Sequence, residues 1–328
     1  LVGRDIQWNR GPISGTAIVT VDGFMTAAPS IVRPLATAME IVDTFSHDGT
    51  TNIVDDGGPS NLTISSGGLL SGVGLIQRGS PDARMNVFGT VGATGGTLSI
   101  AAPIRHFAGG YSALEGTTRI QRGFRGLGNG SFEPIEGSSI VLQATVGAEP
   151  YELLEGTYTI GQKGDVILGS PLHVAPGVTL HASSDLEAID GFRMQSEIDL
   201  QGMLTVDGLM TFPVGLVAGE GMIHVGPAGR IETTAIQSRT FAVPGFELEG
   251  VLVSRGTTRF DAPLDGAVSG SIELRDGILD GTGHLVISGL LVRPATDDAS
   301  GSPQLRVPWE LDGGGELVNE LGLLRIQE

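Results

Sequence analysis

Short apolar runs, each cut off by a glycine or an Asp-Gly pair, recur along this chain roughly every twenty residues. Gly116 to Ile120 (GTTRI), Gly137 to Val141 (GSSIV), Gly156 to Ile160 (GTYTI) and Gly177 to Leu180 (GVTL) are examples. Runs this short and rich in β-branched residues predict strands, and the glycines predict bends. Within one unit, Met203 to Val206 and Leu209 to Phe212 flank Asp207-Gly208. That pair fits either a tight hairpin or a bend in a coil. The repeat favours the coil, because a run of fixed period buries its apolar face only against the next unit. The fold class expected is therefore all-β: a single-stranded parallel β-helix, or β-solenoid, of about twenty residues per coil. Gly219 to Val225 and Asp280 to Ile287 are read as further coils.

Glycines preceding strand-like runs form the register Gly74, Gly96, Gly116, Gly137, Gly156, Gly177, Gly202, Gly221, Gly250, Gly270 and Gly289. Its two long intervals, 25 after Gly177 and 29 after Gly221, predict insertions near residues 185 to 195 and 232 to 246. A solenoid would carry any binding feature there. Two word-level echoes support the period. Gly-Thr-Thr-Arg recurs at Gly116 and Gly256, and Gln-Arg-Gly recurs at Gln77 and Gln121.

Three segments follow: residues 1–60 as an N-terminal cap with the first coils, 61–294 as the solenoid, and 295–328 as a loop with a C-terminal strand or cap. Pro34 to Phe45 reads as a short capping helix, with Leu35, Ala38, Met39, Val42 and Phe45 near helical spacing. The competing reading is a strand with Met39, Ile41 and Phe45 on one face. Residues 295–316 are rich in Asp, Ser, Gly and Pro. After them, Leu321 to Ile326 (LGLLRI) is one more apolar strand.

In this pattern residues 60 to 290 resemble the right-handed parallel β-helix proteins, which include autotransporter passenger domains, bacterial surface adhesins, phage tailspikes and pectin-degrading enzymes. The resemblance is one of period and not of a diagnostic motif. Glycine fills the bends where many members stack asparagine, and the chain has only six asparagines. That scarcity also argues against leucine-rich repeats, which share the period but need an asparagine turn.

Composition narrows this further. The 52 glycines accompany 40% apolar residues, so the chain is not a glycine-rich linker. Only 5% are aromatic, which suits thin aliphatic layers. With 19 basic and 37 acidic residues, the formal charge of −18 argues against nucleic acid or an anionic membrane as partner. All basic residues but Lys163 are arginine. The absence of cysteine removes disulfides, thiolate chemistry and cysteine-bound zinc. A start at Leu1 in place of Met fits either a processed precursor, with a removed signal peptide suiting the composition, or a trimmed sequence. No apolar run is long enough for a membrane-spanning helix.

Candidate chemistry is sparse. Pectin hydrolases, which the resemblance brings in, use Asn-Thr-Asp, His-Gly and Arg-Ile-Lys combinations, and none occurs here. The paired aspartates Asp55-Asp56 and Asp297-Asp298 sit in turn-rich sequence and read as solvated bends, as do Asp22-Gly23, Asp276-Gly277 and Asp312-Gly313. Calcium is the cofactor such acidity would favour, yet neither an EF-hand nor a Gly-Gly-x-Gly-x-Asp repeat is present. His173 and His181 straddle a bend and should fall on different sides of a coil. No Gly-x-Ser-x-Gly elbow leads into a helix, and Gly126 to Gly130 lacks the context of a phosphate loop. Asn61 and Asn129 head glycosylation triplets.

The function expected is a non-enzymatic, extracellular or cell-surface, structural or adhesive solenoid that self-associates into filaments or a surface layer. Leu321, Leu323, Leu324 and Ile326 are the residues expected to complete a neighbour's open edge. The alternative is a polysaccharide-degrading or glycan-binding β-helix, since the side of such a fold forms a groove suited to polysaccharide. No cofactor is required by either, with calcium the one to test.

Overall fold

A computed structural model describes residues 2–3, 5–29, 31–54, 61–145, 148–161, 164–182, 192–235, 237–275, 277–294, 303–319 and 325–326. The described residues form an all-β parallel β-solenoid of about 21 residues per turn, with no helix. Contacts divide the chain into two compact units. Unit 1 is Leu1–Tyr158 with Lys163–Gly169, and unit 2 is Thr159–Gln162 with Ser170–Glu328.

In unit 1 each coil supplies one strand to each of three faces. The first face stacks Val19–Val21, Met39–Ile41, Asn61–Ile64, Arg84–Val87, Ile104–His106, Phe124–Leu127 and Tyr151–Glu155, all parallel. Alternation decides which side chains enter the core. Met39, Leu62, Met85, Ile104, Phe124 and Tyr151 lie in register and are buried. One residue on, Glu40, Thr63, Asn86, Arg105, Arg125 and Glu152 form the outward column. The second and third faces are usually separate strands. At Leu69–Arg78, Thr90–Ala101 and Gly110–Ile120 the chain runs through both without a break, bulging between Gly72 and Gly74 and around Gly96. Gly72 and Gly74 have φ of 130° and 105°, which side-chain-bearing residues rarely adopt.

Unit 2 is more regular. Its first face stacks Leu172, Ile198 and Val217, and then Phe241 on Phe260, its second face Leu204, Ile223, Phe246, Gly266 and Leu285, and its third face Met210, Ile231, Leu252, Ile272, Leu291 and Leu317. Before the third face runs a column of glycines. The amides of Arg230, Val251, Ser271, Leu290 and Glu316 donate to the carbonyls of Gly208, Gly229, Gly250, Gly270 and Gly289, at 2.8 to 3.0 Å. A Cβ on Gly270 would lie 2.1 Å from Gly250 O, and one on Gly289 would lie 2.0 Å from Gly270 O. Glycine is required there by the closeness of the neighbouring coil.

Several expectations change. Pro34 to Phe45 is not a helix. It runs through the strands Val32–Ala36, Met39–Ile41 and Thr44–His47, with Met39, Ile41 and Phe45 buried. Coil pairing outweighs a weak helical periodicity. Asp207-Gly208 is a bend, since Met203–Val206 and Leu209–Phe212 pair with the next coil and not with each other. Gln77 and Gln121 occupy equivalent places two coils apart. The Gly-Thr-Thr-Arg echo is accidental: Gly116 lies on the third face, and Gly256 precedes Thr257–Phe260 on the first.

The glycine register likewise mixes columns. Gly221 precedes a second-face strand and Gly250 a third-face strand, so their wide interval marks no insertion. Met222 pairs with Gly245 and Arg230 with Val251, both near one ordinary turn. The insertion after Gly177 is real, because Leu172 pairs with Ile198, although residues 183–191 lie outside the described set. A further insertion, unmarked by the glycines, precedes Tyr151, which pairs with Phe124.

Candidate functional sites

Among the described residues, five of the outward-facing clusters formed one coil apart bring together groups that bear on candidate chemistry. Four lie in unit 2. His173 Nδ1 is 2.8 Å from Asp199, His181 Nε2 is 2.7 Å from Asp207, His224 Nδ1 is 3.1 Å from Glu247, and His284 Nδ1 is 3.5 Å from Asp265. His173 and His181 sit on the first and second faces, as their spacing predicts. Gln201 and His173, both hydrogen-bonded to Asp199, hold its carboxyl below the usual aspartate range. Each cluster is one histidine with one principal carboxylate, and no group of three or more metal-binding side chains occurs among the described residues.

The fifth cluster lies on the first face of unit 1. Arg105 and Arg125 are direct register partners on adjacent coils. Like charges placed opposite one another in a sheet are destabilising unless something neutralises them. Glu152 approaches Arg125 at 3.8 Å, outside hydrogen-bond range. Arg105 has no carboxylate partner among the described residues. Two residues beyond each position the chain turns. There Phe88 and Phe107 stack face to face, with centroids 4.6 Å apart and planes 5° from parallel, and Phe88 is 37% exposed. Asn86 with Phe88, Arg105 with Phe107 and Arg125 with Leu127 thus make three parallel rows. Nearby, Arg78 and Arg84 both reach Glu149, at 3.5 and 3.6 Å.

The interior carries polar groups too. Arg33 in unit 1 is fully buried and donates to the carbonyls of Trp8, Ile31 and Asp48. Arg239 in unit 2 does the same for Pro213, Thr234 and Arg255, and burial draws its pKa down to about 10. His47 donates from Nδ1 to Val73 O at 2.9 Å and accepts at Nε2 from Thr51 at 3.1 Å. Burial draws its pKa down to about 4, with Arg33 also lowering it and Asp48 and the Val73 hydrogen bond opposing. His106, likewise held below its usual range by burial, lies among Tyr111, Phe124 and Tyr158.

Most candidates from sequence do not gather. Asp55-Asp56, Asp297-Asp298, Leu321, Leu323 and Leu324 lie outside the described residues. Ile326 belongs to Arg325–Ile326, which pairs with Gln304–Leu305. Asn129 is structural: its side-chain carbonyl accepts from Thr157 N at 2.9 Å and its backbone carbonyl from His106 at 3.0 Å. An open groove on unit 2 is floored by the backbone of Gly177, Gly202, Gly221 and Gly245, with Met203 and Met222 along it. Glu220 is the single carboxylate lining it, whereas glycoside hydrolysis uses two. The arginine pair was hidden in sequence because its residues are a whole coil apart.

The chain matches no family model, no curated protein and no solved structure.

Proposed function

We propose that this chain is a non-enzymatic structural or adhesive β-solenoid of the cell surface or extracellular space, which associates with further copies of itself. The observation that carries this reading is the distribution of exposed apolar side chains. Among the described residues nine large apolar side chains are exposed, and five of them, Ile18, Phe24, Ile31, Val32 and Val42, fall within the first coils, Val32 being 61% and Ile18 57% exposed. They lie near the bends or at the start of the second and third faces, so they ring these coils. Apolar surface gathered in this way marks a protein–protein contact. The occupant inferred is the apolar Leu321 to Ile326 segment of another copy.

Electron microscopy and light scattering of the purified chain test this. Concentration-dependent assemblies are expected, and replacement of Phe24 and Val32 by lysine should disperse them. Particles that stay monomeric at high concentration would remove the self-association.

A second reading, glycan binding, is favoured by one feature, the arginine and phenylalanine rows of unit 1.

A further inference from the structure

We propose that the rows Asn86/Phe88, Arg105/Phe107 and Arg125/Leu127 form a binding site for an acidic polysaccharide, one whose sugars carry carboxylates. This rests on the adhesive half of the function above and gives it a ligand class.

Charge is the first support. Around the first face Arg78, Arg84, Arg105 and Arg125 share two carboxylates, Glu149 and Glu152, within a chain of net charge −18. Such an island draws an anion. The pairing of Arg105 with Arg125 adds a local reason. The two stems are held about 4.8 Å apart by the ladder, and the repulsion is relieved when a carboxylate bridges the guanidinium groups. Guanidinium binds carboxylate through two parallel N–H donors, a geometry that Arg125 does not reach with Glu152 at 3.8 Å. A ligand carboxylate therefore gains a bond at Arg105, which has no carboxylate partner among the described residues, and beside it at Arg125, whose ion pair with Glu152 is long.

Shape and surface chemistry identify the rest of the ligand. The stacked Phe88 and Phe107 rings offer an aromatic step beside the arginines. The exposed side of this pair gives a pyranose ring an apolar surface to pack against while its carboxylate reaches Arg105, two residues before Phe107. The rows lie on three successive coils, so an extended chain can run across all of them. A polynucleotide needs a broader basic footprint. Here Glu40 and Glu152 close the outward column on either side, and Glu149 engages Arg78 and Arg84.

The test is affinity electrophoresis of the full chain through gels containing polygalacturonate, dextran or duplex DNA, at low and high salt. Retardation by polygalacturonate at low salt is expected, with none by dextran. Arg105→Gln with Arg125→Gln should weaken it by about tenfold or more. Phe88→Ala with Phe107→Ala should weaken it too, while Arg259→Gln with Arg275→Gln, which removes equal charge from unit 2, should not. All six residues face outward, and thermal unfolding of each variant checks the fold. The site is overturned by absent retardation, by equal loss in the unit 2 control, by full binding in the Arg105/Arg125 variant, or by equally tight DNA binding. A salt-sensitive dimer lost with Arg105 and Arg125, without retardation, would instead assign the row to an acidic surface of a second copy. Missing assemblies would leave this site standing, and missing retardation beside intact assemblies would remove it alone.

Discussion

Units 1 and 2 use the same coil and place their polar groups in opposite ways. Unit 1 buries its two histidines, His47 and His106, and unit 2 presents His173, His181, His224 and His284 outward, each against a carboxylate. All three tyrosines are buried in unit 1. Among the described residues, buried polar atoms without a hydrogen-bond partner follow the same division: Arg33 Nη2, Asn52 Oδ1, Ser80 Oγ, His106 Nδ1, Tyr111 Oη and Arg119 Nε in unit 1, against Arg239 Nε in unit 2. Unit 1 has 10 basic and 15 acidic residues, unit 2 has 9 and 22. The regular unit is thus the more acidic one, its core of aliphatic columns joined by the packed rings of Phe212, Phe241, Phe246 and Phe260. Irregular coils, with their bulges and an insertion, accommodate polar interiors and the arginine row.

Four measurements test this contrast. The largest effect is expected where unit 2 departs from its own rule. Arg239→Met leaves the Pro213, Thr234 and Arg255 carbonyls without their donor, and a loss of about 3 to 5 kcal/mol is expected in denaturant unfolding. If that variant is neutral, the buried arginine is not what ties those bends together.

Acid should act next, through unit 1. His47 titrates near its ordinary value when unfolded and at about 4 when folded, so the unfolded chain binds more protons between those pH values. Its contribution is intact above the unfolded pKa, and about 3 kcal/mol is lost as pH falls toward the folded one. Amide exchange should therefore rise in unit 1 before unit 2 on acidification, and His47→Gln should flatten the difference. Simultaneous opening of both units, with or without His47, would break the contrast.

Glycine substitutions probe the columns. Gly270→Ala drives a methyl against Gly250 O, and a loss of about 2 kcal/mol or more is expected. Gly137→Ala meets no atom within 4 Å and carries only the strain of its φ of 76°, about 1 kcal/mol. Thermal melts of the pair test whether neighbour contact or backbone angle fixes glycine. Smallest of all, Glu247→Gln breaks an exposed pair with His224 and should change stability by less than about 0.5 kcal/mol.

The period, the strand type and the Asp207-Gly208 bend were legible in sequence, because glycine and Asp-Gly act on the backbone locally. The face on which each glycine sits was not. Gly116 and Gly256 introduce the same four-residue word on different faces, and only hydrogen bonding to the next coil separates them. Met39 and Phe45 satisfied both a helical and an alternating pattern, and long-range pairing chose the second. Arg105 and Arg125 were invisible as a pair for the same reason. Their meeting depends on the length of the intervening coil, and coils here differ, as Phe124 with Tyr151 and Ile104 with Phe124 show.

That every register pair joins residues about one turn apart has a kinetic meaning. Each coil closes by bringing together ends separated by some twenty residues, an entropy cost that does not grow with the total length of the protein. Sheet proteins that pair distant segments fold slowly, because much of the chain must be searched before any contact forms. Here a segment that has emerged can dock on the one before it while the rest has yet to appear. A partly emerged chain is therefore a shorter version of the finished one, and assembly can proceed in the order of synthesis.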